Sequence, residues 1–420
     1  MGIRLKLAET AKELDDVFSV RRQVYTIEEG KYRNTDDASR YLADRFDAHP
    51  LCANLIAYEG DEPVATIRIN LDTGGGLPPD ELCDFGAQRD DFERTWLAQT
   101  GQRPCIGSAG MLAVRKGWRR RRDIIRALFK LAAAIGKAWN VTHVLVAANH
   151  ENVSMYQRVG LSPVSDKIWV EAIGNYIRPM AATFADFHQR SLGLDLENVS
   201  LFKCFANQFQ RAVFRAGERL FSESDEADEC YVVDVGSVKI TTNAPNGREL
   251  GLALLGRGEI FGEMALIDAT TRSANATAVT DTEVVVLRRD DFANSLKAHP
   301  ERLDVLLGFI SERLRKTGQF AKMLAYGSPA QRLEFALQSF FESTRVSCKA
   351  DGSSVLRAGP GDLAAAAGTE EDDAIVFLDS LKKRGICDYT DKRIRFLPPY
   401  SDSAADGPGG NTADPRRRAG

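Results

Sequence analysis

The hydrophobic pattern changes character along the chain. Up to about residue 190, apolar residues alternate between helical spacing and short strand-like runs, which is typical of a mixed α/β domain. Between residues 213 and 287 the runs are short and turn residues separate them at regular spacing, which predicts a small β jelly roll or barrel. In the first region we expect helices at residues 8–25, 122–139 and 151–159, and strands at residues 55–58, 63–70, 106–114 and 142–148.

A long amphipathic helix is predicted at residues 300–326. A stripe of apolar residues on a helix of this length has to be covered by another surface, within the chain or in a second copy of it. The stripe consists of Leu303, Leu306, Leu307, Ile310, Leu314, Phe320, Met323 and Leu324. A further helix is expected at residues 330–341, followed by an extended stretch.

Length and composition place the chain among ordinary globular proteins. It has 420 residues, which indicates roughly two to four domains. Its 44% hydrophobic and 27% charged residues are typical of soluble proteins, and a net charge of -4 gives no indication that the whole chain binds nucleic acid. Seven cysteines without a pairing pattern favour a reduced, cytoplasmic setting. With no signal-peptide core and no apolar run of membrane-spanning length, we expect no membrane span.

Residues 258–276, GEIFGEMALIDATTRSANA, carry the clearest chemical signal. The glycines permit a tight turn whose backbone N–H groups can bind an anion. Glu263, inside this turn, would repel a phosphate and is better suited to accept hydrogen bonds from hydroxyl groups. Arg272 can bind a phosphate through its guanidinium group, and Ser273 adds a hydroxyl. The stretch therefore predicts a pocket for a small phosphorylated ligand.

This stretch resembles the phosphate-binding cassette of cyclic-nucleotide-binding domains. In that family the glutamate binds the ribose 2′-hydroxyl group and the arginine binds the cyclic phosphate. The resemblance implies cAMP or cGMP as effector, bound by Gly262, Glu263, Met264, Ala265, Arg272, Ser273 and Ala274. In the Crp/Fnr (catabolite-activator) regulators the long helix that follows forms the dimer and closes over the base. That implies a homodimer through residues 301–327 and a base contact by Thr317.

The segment from Met111 to Ala148, a strand, a basic turn, a helix and a strand, resembles the acyl-coenzyme-binding core of the GNAT acyltransferases. Its basic turn lies where most members have a glycine-rich pyrophosphate loop. The residues implied to bind the phosphates of the acyl donor are Arg119, Arg120, Arg121, Arg122 and Asn149. The donor is then acyl-CoA or, since a basic rim suits an acidic partner, an acyl carrier protein thioester. A solvated basic turn is the alternative.

Tyr156, in the helix predicted at residues 151–159, is the candidate general acid. Acyl transfer from a thioester releases a thiolate, and a phenol within hydrogen-bond reach can protonate it. The alternative is that the tyrosine only packs at the end of its helix.

Three segments of the first 110 residues narrow the resemblance to the branch of N-acyl amino acid synthases and acyl-homoserine lactone synthases. They are VRRQVY at residues 20–25, DRFD at residues 44–47 and ATIRI at residues 65–69. Enzymes of this branch transfer an acyl chain to the amine of an amino acid or its derivative. The resemblance implies that Asp44 and Asp47 orient or deprotonate the ammonium group and that Arg68 holds a carboxylate. Charged residues at a surface helix end are the alternative.

The predicted strand at residues 106–114 departs from this branch. It usually brings a glutamate and, three residues later, an arginine, whereas this chain has Ser108 and Met111. The identity of the catalytic base therefore stays open.

The C-terminal pattern around residues 361–369 and 374–396 resembles the winged helix-turn-helix of the Crp/Fnr regulators. In such a motif the first residues of the second helix face the base edges. Here they are four acids, Glu370, Glu371, Asp372 and Asp373, which would repel DNA phosphates but suit a helix N-terminus. We therefore expect that the usual mode of DNA binding is lost and that the module makes dimer or domain contacts. Basic residues elsewhere in the module leave DNA among the candidate partners.

Together these features predict an α+β multidomain protein that performs cyclic-nucleotide-regulated N-acyl transfer from a thioester to an amine, without a metal. Two alternatives remain: a cyclic-nucleotide-responsive transcriptional regulator with an acyl-sensing N-terminal domain, and a cAMP-controlled protein-lysine acetyltransferase. The predicted parts are a GNAT-like domain at residues 1–192, a cyclic-nucleotide-binding jelly roll at 199–300, a connecting helix at 301–327, a winged helix-turn-helix at 328–399 and a disordered tail at 400–420.

Overall fold

The computed structural model describes residues 2–32, 40–192, 210–243, 249–267, 270–344, 353–356 and 358–397. The predicted tail at residues 400–420 lies outside these ranges, and so does the expected junction between the first two domains, at residues 193–198. Within the described ranges no helix is both long enough and apolar enough to cross a membrane.

The first part of the chain forms a mixed α/β domain. Its elements are β1 (Ile3–Leu7), α1 (Ala11–Arg21), β2 (Cys52–Glu59), β3 (Glu62–Leu71), α2 (Gly86–Thr100), β4 (Ile106–Val114), α3 (Arg122–Ala138), β5 (His143–Asn149), α4 (Val153–Arg158), β6 (Ser162–Pro163), β7 (Ile168–Val170), β8 (Asn175–Thr183) and α5 (Phe184–Leu192). Six of the seven segments expected in this region match one of these elements within three residues at each end.

The first helix differs from the prediction for residues 8–25. A capping box formed by Thr10 and Glu13 starts α1 at Ala11, since each side chain bonds the other's backbone N–H. The α-helix ends at Arg21, and the chain continues as a π-helical segment, Arg22–Glu28. This wider turn changes which side chains face the sheet, and helical periodicity alone did not predict it.

The second part forms a β sandwich followed by a long helix. Its elements are β9 (Gln210–Phe214), β10 (Arg219–Phe221), β11 (Glu229–Val235), β12 (Val238–Asn243), β13 (Glu249–Leu255), β14 (Ile260–Phe261), α6 (Met264–Ile267), β15 (Asn275–Ala278), β16 (Thr282–Arg288), α7 (Arg289–Ala298) and α8 (Glu301–Tyr326). The helix α8 confirms the long helix predicted at residues 300–326.

The remaining elements form a small helical unit with its own three-stranded sheet. They are α9 (Pro329–Thr344), β17 (Ser354–Leu356), α10 (Pro360–Ala367), α11 (Glu371–Lys383), β18 (Cys387–Thr390) and β19 (Arg393–Phe396). The strand order is β17-β19-β18, and all neighbours are antiparallel. The acidic residues Glu371, Asp372 and Asp373 occupy the exposed first turn of α11, where their charge suits the helix dipole.

One sheet runs without interruption from the α/β domain into the sandwich. Among the described residues it has twelve strands, in the order β14-β11-β16-β9-β1-β2-β3-β4-β5-β8-β6, with β7 beside β8. Strand β1 pairs antiparallel with β2 on one side and with β9 on the other. Buried and exposed side chains alternate along β1, as expected for a strand with one face in the core: Ile3 and Leu5 are buried, while Arg4 is exposed. The sequence analysis did not predict this joint.

A buried ion cluster also holds helix α3 against the sandwich. Lys130 of α3 donates to Asp234 of β11 (2.7 Å) and to Glu283 of β16 (3.0 Å). Arg211 of β9 binds the same two carboxylates. Burial would raise the pKa of Asp234, but Arg211 and Lys130 outweigh it and hold that pKa at about 2. Asp234 therefore stays charged at neutral pH, and the four side chains together fix the two parts.

Candidate functional site

The cassette predicted from sequence folds as a turn between β14 and β15. Gly262 opens the turn with a φ of +74°, a left-handed conformation that other residues rarely adopt. A Cβ atom at this position would lie 2.6 Å from Nη1 of Arg272. Without a side chain at Gly262, Arg272 can donate from Nη1 to its carbonyl oxygen at 2.9 Å. The glycine thus allows the arginine to reach the turn.

Arg272 is the charged group at the centre of this site. It is 4% exposed, and its guanidinium carbon lies 4.3 Å from the ring centroid of Phe221 and 5.7 Å from that of Tyr231. Its Nε is buried and has no hydrogen-bond partner in the described part of the chain. A buried cation with an unsatisfied donor is costly unless a ligand completes its bonds. Arg272 is therefore suited to bind an anion.

Glu263 lies on the other side of the turn and is 2% exposed. Arg313 of α8 donates from Nη1 to both carboxylate oxygens, at 3.0 and 3.2 Å, and to the carbonyl oxygen of Ile260 at 3.1 Å. The long helix is thus bonded directly to the cassette. Thr317, one turn further along α8, is exposed and its hydroxyl donates to the carbonyl oxygen of Arg313 at 2.9 Å.

A second polar cluster lies in the α/β domain and joins two buried arginines to two aspartates. Arg68 of β3 binds both carboxylate oxygens of Asp44, at 2.6 and 2.9 Å, and also contacts Asp47 at 2.9 Å. Arg21 of α1 contacts Asp47 at 2.8 Å and donates to the side-chain oxygen of Asn54. The charges balance within the cluster, and Asp44 is its more exposed carboxylate, with a side-chain exposure of 35% against 5% for Asp47.

The electrostatics of this cluster favour a charged Asp47. Burial would raise the pKa of Asp47, but the guanidinium groups of Arg21 and Arg68 outweigh it and hold the pKa below its usual value. Nearby, burial with the charge of Asp44 raises the pKa of Tyr32 to about 12, so this phenol stays protonated. Asp44, as the more exposed carboxylate of the cluster, can accept a hydrogen bond from a cation.

Strands β4 and β5 part beside this cluster. They pair in parallel only from Ile106 opposite His143 to Ser108 opposite Leu145. Beyond that point Met111 takes a φ of +50°, at the place where the register between β3 and β4 shifts. The hydroxyl of Tyr25 donates to the carbonyl oxygen of Leu112 at 2.8 Å, and the ring of Tyr25 packs edge-on against that of Tyr32. This contact connects the gap between the strands with the Asp44 cluster.

Tyr156 lies in the core below this gap, on α4. It is 6% exposed and its ring contacts Phe129 of α3 edge-on, with centroids 5.9 Å apart. Burial raises the pKa of its phenol, so the hydroxyl stays protonated at neutral pH. A phenol with a raised pKa is a weaker acid than a thiol, so it is better suited to donate a hydrogen bond to a leaving sulfur than to surrender its proton early.

Comparison with known proteins identifies the two parts. A cyclic AMP receptor protein from Thermus thermophilus is 32% identical over 202 residues, which cover 46% of this chain and 85% of that protein. The chain belongs to the cyclic AMP receptor protein family. The family model of the cyclic nucleotide-binding domain matches residues 211–299, and that of the N-acyl amino acid synthase FeeM matches residues 16–183. The chain is thus a FeeM-type synthase domain fused to a cyclic nucleotide-binding domain.

Two further similarities are partial. A CRP-like cAMP-activated global transcriptional regulator from Mycobacterium tuberculosis is 33% identical over 118 residues, and the chain spans only 53% of its length. The solved structure of FeeM, an N-acyl amino acid synthase from uncultured soil microbes, aligns over 46% of this chain and all of that one, with 13% identity and a TM-score of 0.37.

In the cyclic nucleotide-binding domain, one cavity of about 330 Å³, counting its open mouth, brings the predicted cassette together. Thr317 is not among the residues that line it. The lining consists of Phe221, Ile240, Gly262, Glu263, Met264, Ala265, Arg272, Ser273, Ala274 and Arg313.

The four arginines of the basic turn differ in exposure: three are exposed and one is buried. Arg120 and Arg122 are exposed, and Arg119, also exposed, donates to Glu28 at 2.7 Å. Arg121 is buried and bonded to Asp123, so it faces away from a donor site. Asn149, at the end of β5, accepts a hydrogen bond from the side chain of Asn175 at 3.1 Å, apart from the arginines.

Two arginines that contact predicted site residues, Arg313 and Arg21, were not named as site residues in the sequence analysis. Arg313 lies four residues before Thr317, and helical spacing from Thr317 could have suggested it, since residues four apart share a helix face. Arg21 lies in the VRRQVY segment, but its contacts with Asp47 and Asn54 come from distant segments and were not predicted. Among the described residues no group of His, Cys, Asp and Glu is arranged to hold a metal ion.

Proposed function

We propose that this chain is an N-acyltransferase whose activity a cyclic nucleotide regulates. The acyl group passes from a thioester to the amine of an amino acid or a related compound. The observation that carries the proposal is the position of the Asp44 cluster beside the gap between β4 and β5, within a domain that the FeeM family model matches. In this proposal the thioester binds where β4 and β5 separate, and Asp44 provides an anionic group for the acceptor amine.

Arg68 takes a different part in this proposal from the one expected from sequence. Its guanidinium group is bonded to Asp44 and Asp47, so it orients these carboxylates rather than holding a substrate carboxylate. Asp44, the more exposed aspartate, then binds the ammonium group of the acceptor. The exposed arginines of the basic turn, Arg119, Arg120 and Arg122, bind the phosphate of acyl-CoA or contact an acyl carrier protein.

In the cyclic nucleotide-binding domain, Arg272 binds the cyclic phosphate of cAMP or cGMP and Glu263 binds the ribose 2′-hydroxyl group. Arg313 of α8 already donates to Glu263, so a ribose hydroxyl that binds Glu263 either displaces Arg313 or shares the carboxylate with it. In both cases ligand binding changes the contact that holds helix α8 against the cassette. The same helix exposes Leu303, Leu307 and Leu314, with exposures of 45%, 51% and 71%. Because α8 offers these side chains at helical spacing, the proposal includes a homodimer formed through this helix.

Two measurements on the full chain test the proposal. Calorimetry with cAMP and with cGMP should show binding of at least one of them, because the Arg272 pocket is formed in the free chain. An assay of thiol release from acyl-CoA or acylated carrier protein, with a mixture of amino acids as acceptors, should then show a rate that changes when the tighter nucleotide is added. Absence of thiol release with either donor would contradict the transferase assignment.

Tyr156→Phe should lower the rate of thiol release by about 100-fold, because it removes the hydrogen-bond donor for the leaving thiolate. The variant keeps the ring, so its contact with Phe129 and the fold should remain. Nucleotide affinity, measured on the same preparation, should not change. Tyr176→Phe, which alters an exposed phenol of the same domain, is the matched control and should keep the wild-type rate. An unchanged rate in Tyr156→Phe would show that Tyr156 only packs.

A second candidate function is transcriptional regulation. It is favoured by the similarity of the chain to a cyclic AMP receptor protein and to a cAMP-activated global transcriptional regulator. The C-terminal unit combines helices with a three-stranded antiparallel sheet, which supports a winged helix-turn-helix, but α11 begins with acidic residues. We expect no site-specific complex in a gel shift with a genomic fragment library, with or without nucleotide, because these carboxylates repel phosphates. A tight, nucleotide-dependent band would favour the regulator instead.

A further inference from the structure

Strand β1 brings one arginine of the synthase domain to the edge of the cyclic nucleotide-binding domain. Arg4 donates through Nη1 to Oε2 of Glu229 at 2.8 Å, and through Nη2 to the other carboxylate oxygen. Arg4 is largely exposed, whereas Glu229 of β11 is buried at 6% exposure. The pair is therefore a forked contact across the boundary between the two domains.

Glu229 also connects to the nucleotide pocket. The hydroxyl of Tyr231, two residues along β11, donates to Oε1 of Glu229, and the ring of Tyr231 lies 5.7 Å from the guanidinium carbon of Arg272. Burial would raise the pKa of Glu229, but Arg4 outweighs it, and Arg272 adds to the lowering. Glu229 is thus a buried anion stabilised by two cations, one from each domain.

We propose that Arg4 is a positioning residue of the nucleotide site: by compensating Glu229, it leaves Arg272 available for the ligand's phosphate and couples nucleotide binding to the docking of the synthase domain. This inference rests on the proposed binding of a cyclic nucleotide at Arg272. Without Arg4, the negative charge of Glu229 is left uncompensated near the Arg272 site and repels the incoming phosphate.

The coupling acts in both directions. A phosphate bound at Arg272 offsets the attraction of that arginine for Glu229, so Glu229 depends more strongly on Arg4 once the ligand is present. Because linkage is reciprocal, ligand binding strengthens the contact that holds β1 against the sandwich by the same factor by which Arg4 strengthens ligand binding. Strand β1 in turn pairs with β2 of the synthase sheet, which gives the nucleotide a direct physical route to that domain.

Calorimetry on the full chain tests this proposal. Arg4→Ala should weaken the binding of the tighter cyclic nucleotide by about 5- to 20-fold, the lower part of the usual range for coupled sites. Arg4→Lys, which keeps the charge without the fork, should lie in between. The control Arg94→Ala removes an exposed arginine that is paired with Asp91 on α2, and it should bind like the wild type. Because Arg4 is largely exposed, the effect should shrink at high salt.

The double variant Arg4→Ala/Glu229→Gln shows whether a loss of nucleotide affinity in Arg4→Ala comes from the uncompensated charge of Glu229 or from damage to the fold. It removes the repelling carboxylate together with its partner, so affinity should return to within about twofold of the wild type, as a coupled pair requires. Hydrogen exchange gives a second readout: a saturating nucleotide should raise the protection of Ile3–Leu7 in the wild type but not in Glu229→Gln.

Three results would overturn the inference. Wild-type affinity in Arg4→Ala, or a double variant no better than Arg4→Ala, would contradict it while leaving the proposed function standing. A wild-type chain that binds neither cAMP nor cGMP would overturn the proposed nucleotide regulation and this inference with it.

Discussion

Replacing Arg272 by alanine should weaken cyclic nucleotide binding on the order of 100-fold, or about 3 kcal/mol, because the loss of a buried charge-assisted contact leaves the phosphate without its partner. The structure supplies the reason for so large an effect. Arg272 is 4% exposed, it lies over Phe221, and its Nε has no partner in the described part of the chain. Isothermal calorimetry with cAMP and cGMP measures the change.

Two variants make this result specific. Arg272→Lys keeps the positive charge without the planar fork, so its affinity should fall between those of the wild type and Arg272→Ala. Arg288→Ala removes an exposed arginine from the same domain and should bind normally. Circular dichroism should show that each variant is folded, since Arg272 also donates to the carbonyl oxygen of Gly262. Equal affinity in Arg272→Ala and the wild type would refute the pocket assignment.

Lys130→Met should lower the free energy of unfolding by about 3 to 5 kcal/mol, because it removes one partner of a buried ion cluster and leaves a carboxylate uncompensated. Lys130 and its partners Asp234 and Glu283 all have side-chain exposures of 2% or less. Urea unfolding followed by circular dichroism measures the loss. Lys137→Met, at an exposed position of the same helix, should change stability by less than about 0.5 kcal/mol.

The pH dependence gives this prediction a second test. In the wild type the folded-state pKa of Asp234 is held at about 2, so its contribution to stability is present above the unfolded value near 3.9 and is lost only as the pH falls toward 2. In Lys130→Met the uncompensated carboxylate should bind a proton more readily. The difference in free energy of unfolding between wild type and variant should therefore become smaller as the pH falls from 7 to 4. A deficit of equal size at both pH values would indicate lost packing instead of lost charge.

Local sequence was sufficient for much of the nucleotide site. The cassette is a continuous stretch, and its turn geometry depends on Gly262, so Glu263 and Arg272 could be placed without knowledge of the fold. Strands β3 and β4 and helices α3 and α8 were also predictable, because each buries one face or a whole apolar run and therefore shows a clear periodicity. Helix α2 was missed, since among its residues only Phe92 is buried.

Residues that act through distant partners could not be predicted in the same way. Arg313 reaches Glu263 across 50 positions of sequence, and Arg21 reaches Asp47 and Asn54 across 26 and 33 positions. No local pattern encodes such a contact, because it depends on how separate elements pack. The role expected for Arg68 changed for the same reason, since the sequence does not show that both aspartates already bind it.

The sequence by itself determined that this chain joins a synthase-like domain to a nucleotide pocket, because both signals lie in contiguous segments whose residue types and spacing follow from local chemistry. Only the tertiary structure decided how the two parts communicate. Strand β1 has five residues, and its pattern does not reveal that one edge pairs with β2 and the other with β9. The pairing of β1 with β9, with Arg4 on Glu229 and Lys130 on Asp234, arises from packing between elements more than 100 positions apart.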